Sequence, residues 1–260
     1  MQQMQLLSVV IVCKNEAGII GQTLQSLQGL TDDIVVYDSG STDETAAIAR
    51  RFPVKVLEGV WGGFGITKNM AVALARHDWI LSLDADEAID EELKKSLLTS
   101  SFDDERMVYE IKFKNFLRNK WLRYGEWGGD KHIRLFNRKQ VNWDDAAVHE
   151  KLVLPDGIKT GRLKGHILHY TATDLEKYKC KLVKYAELNA KKYYGQGKKA
   201  GLFKKYAAAF FSFVQNYIFR AGFLDGKAGY QCAVLMAGYT FTKYKKLEII
   251  LQEKNREEIF

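Results

Sequence analysis

The sequence predicts an α/β protein: a mixed, mainly parallel sheet with flanking helices, followed by a C-terminal helical extension. Three observations predict it. From Leu6 to Asp86 short apolar runs alternate with amphipathic stretches, the pattern of successive βαβ units. The run Trp79 to Leu83 leads straight into Asp84, Ala85, Asp86 and Glu87, as a buried strand does where it reaches the sheet edge. Beyond Asp174 apolar residues recur at helical spacing among many lysines.

Each element has its own signal. LLSVVIVC reads as the first strand, and Ile19, Ile20, Leu24 and Leu27 mark the helix after it. DDIVVYDSG is the second strand with its exit loop. Ser41 and Glu44 have capping-box spacing, which predicts a helix from near Thr42 to Arg51. VKVLE is a third strand. Gly62, Gly63 and Gly65 then give backbone freedom just before ITKNMAVALAR, where helix amides can approach an anion. This turn matches neither GxGxxG nor GxxxxGK[ST], so neither a dinucleotide fingerprint nor a P-loop is indicated. WILSLD is the fourth strand, and Glu91 to Ser100 a helix. MVYEIKFKNFL, KHIRLFNR and the stretch from Val141 through Lys151 suit an additional mixed sheet. Pro155, Asp156 and Gly157 form a turn before the strand GRLKGHILHY. Helices follow: LEKYKCKLVKYAELNAKKYYGQG, then two apolar blocks around Phe210 and Leu235.

Composition narrows the class. A chain of 260 residues, 47% hydrophobic, can bury a sizeable core. Its three cysteines, Cys13, Cys180 and Cys232, are far apart and form no CxxC pattern, which fits a reducing compartment. The run Leu6 to Cys13 is too short for a signal-peptide core, so a cytoplasmic protein is expected. Charge is uneven. Residues 1–105 hold 8 Lys+Arg against 17 Asp+Glu, so the remainder carries +16 within a chain of net +7. Between Lys177 and Lys246 stand 15 Lys+Arg against only Glu187 and Asp225, a pattern that suits an anionic surface.

Chemistry gathers at the strand ends. In open α/β sheets ligands bind at the carboxyl ends of strands, which here carry Asn15 and Glu16, then Asp38, then Asp84 and Asp86. Two carboxylates two residues apart can share a hard divalent cation whose other positions go to water and diphosphate oxygens. A lone DxD also reads as an acidic turn opening the next helix, so the motif needs its neighbours.

Those neighbours carry a resemblance. SVVIVCKNEAGIIGQTLQSL, VVYDSGSTDETAAIA and GGFGITKNMAVALARHDWILSLDADEAI, in this order, resemble the nucleotide-sugar half of inverting family 2 glycosyltransferases of the GT-A (Rossmann-like) fold. RLFNR, AVHEKLV, HILHY and YIFRAGFLDGKAGY resemble the subgroup containing bacterial lipopolysaccharide-core β-glucosyltransferases. The resemblance implies a GT-A domain over 1–172, with a nucleotide-sugar half (1–105) and an acceptor half (106–172), and a basic aromatic helical extension over 173–260. It implies donor contacts from Glu16 and Asp38 to uracil and ribose, and from Lys68 near the phosphates. Asp86 is the implied direct ligand of Mg²⁺ or Mn²⁺, Asp84 reaches ribose or metal-bound water, and His169 is a further metal or diphosphate contact. Glu150 is the implied general base, with Asp130 as runner-up and Asp144 or Asp145 as competitors. Arg134 and His149 are weaker candidates for acceptor or phosphate contacts. Lys68, His169 and Arg134 also read as ordinary solvated, packing or ion-paired residues. One base and one stabilised leaving group suffice for a single in-line displacement with inversion. Larger processive relatives carry QxxRW and several membrane spans; neither is present here, which argues for addition of one sugar.

The expected function is transfer of a hexose from a UDP-sugar, with UDP-glucose the favoured donor, to a lipid-linked saccharide such as the lipopolysaccharide core. Capsule, exopolysaccharide or protein acceptors remain alternatives. The blocks Tyr206 to Phe219 and Ala228 to Thr242 fall short of the roughly 20 apolar residues a membrane span requires. They suit interfacial helices on the inner face of the cytoplasmic membrane, or plain core packing. A nucleic-acid-binding role fits the basic half but lacks any recognition motif, and the acidic half would repel a phosphate backbone. A nucleotidyltransferase would need a phosphate loop near the first strand, which is absent.

Overall fold

The computed structural model describes residues 6–145, 150–201 and 203–257. It divides into two units: Met1–Phe113 with Lys131–His169, and Lys114–Asp130 with Tyr170–Phe260.

In the first unit, β1 (Leu7–Cys13) pairs in parallel with β2 (Ile34–Asp38) on one side and β4 (Trp79–Asp84) on the other, and β3 (Lys55–Glu58) extends β2. These strands are runs of Val, Ile and Leu because both faces of the sheet are covered. Side-chain alternation divides β1 between two cores. Val9, Ile11 and Cys13 join Ile20 and Leu24 of α1 (Ile20–Ser26) and Leu93 and Leu97 of α4 (Glu91–Thr99). Val10 faces the opposite core with Val35, Ile80 and Ala71, the last from α3 (Phe64–Ala73). Parallel register aligns the strand ends: Cys13 lies opposite Asp38, Asp38 opposite Glu58, and Val12 opposite Asp84.

Beyond β4 the sheet turns antiparallel. β8 (Lys131–Asn137) pairs with β4, β6 (Met107–Leu117) with β8, and β5 (Glu87–Ile89) with β11 (Lys159–Ala172). The expected additional sheet therefore does not form from these segments: β6, β8 and β11 continue the first sheet in the order β3-β2-β1-β4-β8-β6-β11-β5. Among the described residues of Val141 through Lys151 only β9 (Asn142–Trp143) is a strand, and it pairs with β10 (Leu152–Val153) in a separate ribbon.

A second expectation is corrected in α2 (Thr45–Ala49), which starts three residues late and has no capping box. The hydroxyl of Ser41 accepts a hydrogen bond from the Asn15 amide at 2.9 Å, so it is engaged elsewhere. Asp43 serves instead, accepting from the Thr45 amide at 3.0 Å. By contrast α4 has a regular cap, the Asp90 carboxylate accepting from the Leu93 amide at 2.9 Å.

The second unit is built on α5 (Leu175–Gly195), α6 (Lys204–Val214) and α7 (Gly226–Glu257), with β7 (Lys120–Trp121) paired to the end of β6. Its core joins Leu117, Leu122 and Trp127 to Ala172, Cys232 and Met236. Segment 114–130 thus groups with the helices. Lys205 and Glu248 form an ion pair at 2.6 Å between α6 and α7. No helix among the described residues is long and apolar enough to cross a membrane.

Candidate active site

The site lies in the first unit, at the carboxyl ends of β1, β2 and β4. The loop after β1 is braced against the loop after β2. Asn15 adopts a left-handed backbone (φ 57°), which asparagine tolerates better than most residues, and its side-chain oxygen accepts from the Thr42 amide at 2.7 Å. The Glu16 amide donates to the Thr45 hydroxyl at 2.8 Å, and the Ala17 amide to Asp43 at 3.2 Å. Asp38 is buried and turns its own loop, one carboxylate oxygen accepting from the amides of Gly40 at 3.1 Å and Ser41 at 2.7 Å. Glu16 and Asp38 therefore sit on adjacent, mutually fixed loops.

At the end of β4 the chain turns through Ala85 and Asp86 into β5. The turn is held on two sides. The Thr23 hydroxyl of α1 donates to the Ala85 carbonyl at 2.7 Å, and the Asp84 amide donates to the Glu87 carboxylate at 3.0 Å. Glu87 is completely buried and makes an ion pair with Arg134 of β8. The same Arg134 guanidinium donates to Asp84 Oδ2 at 3.0 Å and lies over the Phe113 ring. Its Nε is buried with no hydrogen-bond partner among the described residues.

Asp84 Oδ1 lies 3.0 Å from Lys68 Nζ, and the same ammonium donates to Glu150 Oε1 at 2.7 Å. Lys68 is 3% exposed and lies over the Trp143 ring. Its neighbour Asn69 fixes that tryptophan's backbone, donating to the Trp143 carbonyl at 2.9 Å and accepting from its amide at 3.0 Å. Helix α3 thus positions both Lys68 and the ribbon beside Glu150. Asp86 and His169 meet separately: Asp86 Oδ2 is 3.5 Å from His169 Nε2, and His169 is the register partner of Glu87.

The electrostatics follow from this packing. Burial alone would raise Asp84, but Lys68 and Arg134 hold its carboxyl well below the usual range. Burial pushes Glu87 up, and the nearby Asp84 and Asp86 add to that against the pull of Arg134. Lys68 is disfavoured by burial, yet Asp84 and Glu150 outweigh this and raise it. For His169 burial is likewise overcome, chiefly by Asp86, so the imidazole is raised above its ordinary value.

The geometry brings Lys68, Asp84, Arg134 and Glu150 into one group and Asp86 with His169 into another. Asp130 belongs to the second unit, where it accepts from the Asn115 side chain at 3.3 Å. The Asp144 carboxylate accepts from the Lys151 amide at 3.1 Å, and Asp145 is exposed. His149 lies outside the described residues. Sequence reasoning passed over Glu87, Asn69 and Trp143. Glu87 stands in the acidic run itself, whereas nothing in the sequence pointed to Asn69 or Trp143.

No group of three or more His, Cys, Asp and Glu side chains forms a ready metal cage among the described residues. Asp86 and His169 nevertheless offer one oxygen and one nitrogen donor side by side. That set suits a divalent ion that keeps water and substrate oxygens as its remaining ligands.

Carboxylates, buried cations and a carboxylate–histidine pair thus gather at the strand ends of a mixed α/β sheet. Residues 8–155 match the family model described as Glycosyl transferase family 2, and the chain belongs to that family of glycosyltransferases. An uncharacterized glycosyltransferase of Rickettsia felis is 30% identical, over 97% of this chain and 93% of its own length. The lipopolysaccharide core biosynthesis glycosyltransferase LpsC of Rhizobium meliloti is 27% identical, over 93% of this chain and 91% of its own. Among solved structures, glucosyl-3-phosphoglycerate synthase from Mycobacterium tuberculosis, in complex with Mn²⁺, UDP and glucosyl-3-phosphoglycerate, aligns with 28% identity and a TM-score of 0.32. That alignment covers 43% of this chain and 44% of the synthase, so the chain spans under half of that structure's length.

Proposed function

We propose that this protein transfers a hexose, with inversion, from a UDP-sugar, UDP-glucose being the favoured donor, to a lipid-linked saccharide such as the lipopolysaccharide core. The observation that carries the reading is the contact of Lys68 with both Asp84 and Glu150, which puts a buried cation between the acidic turn and a carboxylate suited to act as base.

In this reading Glu16 and Asp38 accept hydrogen bonds from the nucleoside, their loops already fixed before the donor arrives. Asp86 and His169 would hold Mg²⁺ or Mn²⁺, an ion that would supply positive charge to the departing diphosphate. Asp84 has both oxygens engaged by Lys68 and Arg134, so its part is to orient those two cations. Lys68 and Arg134 supply fixed positive charge near the leaving group in a site of low dielectric. Glu150 takes the proton of the attacking acceptor hydroxyl. Asp130 keeps the place of alternative base, and Arg134 that of a phosphate contact.

The second unit supplies the membrane side of the proposal. Phe203, Phe210, Phe211 and Phe219 are each at least 60% exposed, and the exposed Lys198, Lys199 and Lys204 stand close to Phe203 in sequence. Aromatic and basic residues so interleaved suit peripheral attachment to an anionic cytoplasmic leaflet, where a lipid-linked acceptor resides.

The test is UDP release from a panel of UDP-sugars with Mn²⁺ and a lipopolysaccharide-core acceptor. Glu150→Gln is expected to lower turnover by about 10²-fold or more while UDP still binds. Full activity in that variant would remove Glu150 as the base. Failure of the wild-type protein to bind any nucleotide sugar would remove the donor reading as a whole.

A further inference from the structure

The second unit contains an open cleft of about 530 Å³ lined by Arg123, Tyr124, Glu126, Asp130 and Arg220 together with loop glycines. Its size is within the range of roughly 300–1,000 Å³ typical of small-ligand sites.

The cleft is rigid for reasons visible in the sequence YGEWGGD. Gly125 and Gly129 take positive φ, 74° and 73°, and a Cβ on Gly128 would come within 2.3 Å of the Arg123 carbonyl oxygen. The loop is tied at several points. Asp225 accepts from the amides of Arg123 and Tyr124, both at 2.9 Å, and the Gly125 amide donates to the Arg220 carbonyl at 2.9 Å. The Asn115 side chain donates to the Trp127 carbonyl at 3.0 Å.

Two arginines in this cleft are held in place without a direct ion pair among the described residues. The Arg123 guanidinium stacks over Trp121, 4.5 Å from the ring, a contact that fixes it without using its N–H donors. Arg220 makes one long side-chain hydrogen bond, to Asn216 at 3.5 Å. Neither forms an ion pair among the described residues, although Glu126 and Asp130 line the same cleft. Two oriented guanidiniums call for an anionic oxygen group. The two carboxylates repel a bare anion but accept hydrogen bonds from hydroxyls, and the half-exposed Tyr124 ring offers a flat apolar surface. A ligand that satisfies all of these carries an anion and several hydroxyls on one ring.

We propose that this cleft is a binding subsite for an anionic saccharide, one bearing a phosphate or carboxylate group. The assignment of that ligand to the acceptor rests on the reading of the protein as a transferase acting on a saccharide; the cleft chemistry stands on its own residues.

The test is a calorimetric titration of the full-length protein, its donor site saturated with UDP and Mg²⁺, with glucose 6-phosphate, glucuronate, glucose and inorganic phosphate in separate arms. At least one of the two anionic sugars is expected to bind about tenfold or more tightly than both glucose and inorganic phosphate. Arg123→Gln and Arg220→Gln are each expected to weaken that binding by about tenfold, with UDP affinity and melting temperature unchanged. Inorganic phosphate binding as tightly as the anionic sugars, or variants indistinguishable from wild type, would overturn the proposal. So would the absence of sugar binding while UDP binds normally. Arginine-dependent sugar binding in a protein that does not bind UDP would instead refute the donor reading and leave the cleft assignment standing. Vesicles of phosphatidylglycerol form a last arm: arginine-dependent binding to them with none to the soluble sugars would mean a lipid phosphate site and would also overturn the proposal.

Discussion

Replacing Arg134 with methionine is expected to destabilise the first unit more than any comparable change outside the core. The guanidinium is nearly buried and answers two carboxylates, Asp84 at 3.0 Å and the completely buried Glu87. Methionine fills much of the volume but leaves Glu87 buried without its ion-pair partner; removing one partner of a buried ion pair costs about 3–5 kcal/mol. For a protein of this size that corresponds to a fall in melting temperature of about 6–20 °C. The pH dependence sharpens the test. Glu87 has a raised folded-state pKa, so its contribution is fully present below the ordinary glutamate value and is lost as pH rises through the raised one. Asp84 has a lowered pKa, and its contribution is present at neutral pH and lost in acid. Loss of Arg134 raises Glu87 further, which makes the deficit larger at pH 8 than at pH 5.5; the weakened hold on Asp84 acts only in acid, below the ordinary aspartate value, and leaves that comparison untouched. Denaturant titrations followed by circular dichroism at about these two pH values measure it. A loss below about 1 kcal/mol, or a deficit that grows toward acid, would refute the reasoning. Arg134→Lys should restore only part, because one ammonium lacks the planar fork that serves two carboxylates.

Asn69→Ala removes both hydrogen bonds to the Trp143 backbone and is expected to lower kcat for UDP release about 10- to 100-fold with little change in UDP affinity; an unchanged kcat would mean that the ribbon does not need this anchor. Gly165→Ala places a Cβ 2.1 Å from the Leu93 amide nitrogen at a φ of 91°, with an expected cost of about 2–4 kcal/mol by chemical denaturation. The double variant Phe210→Ser, Phe219→Ser should reduce sedimentation with phosphatidylglycerol vesicles, and raised salt should weaken wild-type binding as the lysines are screened. Equal sedimentation of the variant and wild-type proteins would place the contact elsewhere.

Much of the first unit was legible because its signals are local. Short, near-continuous apolar runs in β1, β2 and β4, separated by helical spacing, specify a parallel sheet, and the polar residues at their ends locate the site. What was not legible depends on pairings between distant segments. Nothing in KHIRLFNR says that it will lie antiparallel beside WILSLD, since either edge of β4 satisfies the same apolar pattern. The capping box failed for a related reason: Ser41 has the right spacing, but a backbone amide 26 residues away engages its hydroxyl. Lys68 stands out in the sequence through the family resemblance, yet its two carboxylate partners come from β4 and from a loop 82 residues further on. The grouping of 114–130 with the helices had no sequence signal, because its anchors Leu117, Leu122 and Trp127 read equally well as part of the preceding strand region.

Glu150, Lys68, Asp84, Arg134 and Glu87 touch in that order, so their charges alternate in sign along a row of five. With every member ionised the row sums to −1, and Asp86 beside it adds to the negative side. Under the proposed donor reading an approaching nucleotide sugar therefore meets little net attraction from this row at a distance, since the fields of neighbours of opposite sign cancel beyond a few ångströms. Apart from the proposed metal, its diphosphate would gain only by taking over a cation already held by a carboxylate. Capture is then expected to be anion exchange at contact range, with a rate only weakly sensitive to ionic strength.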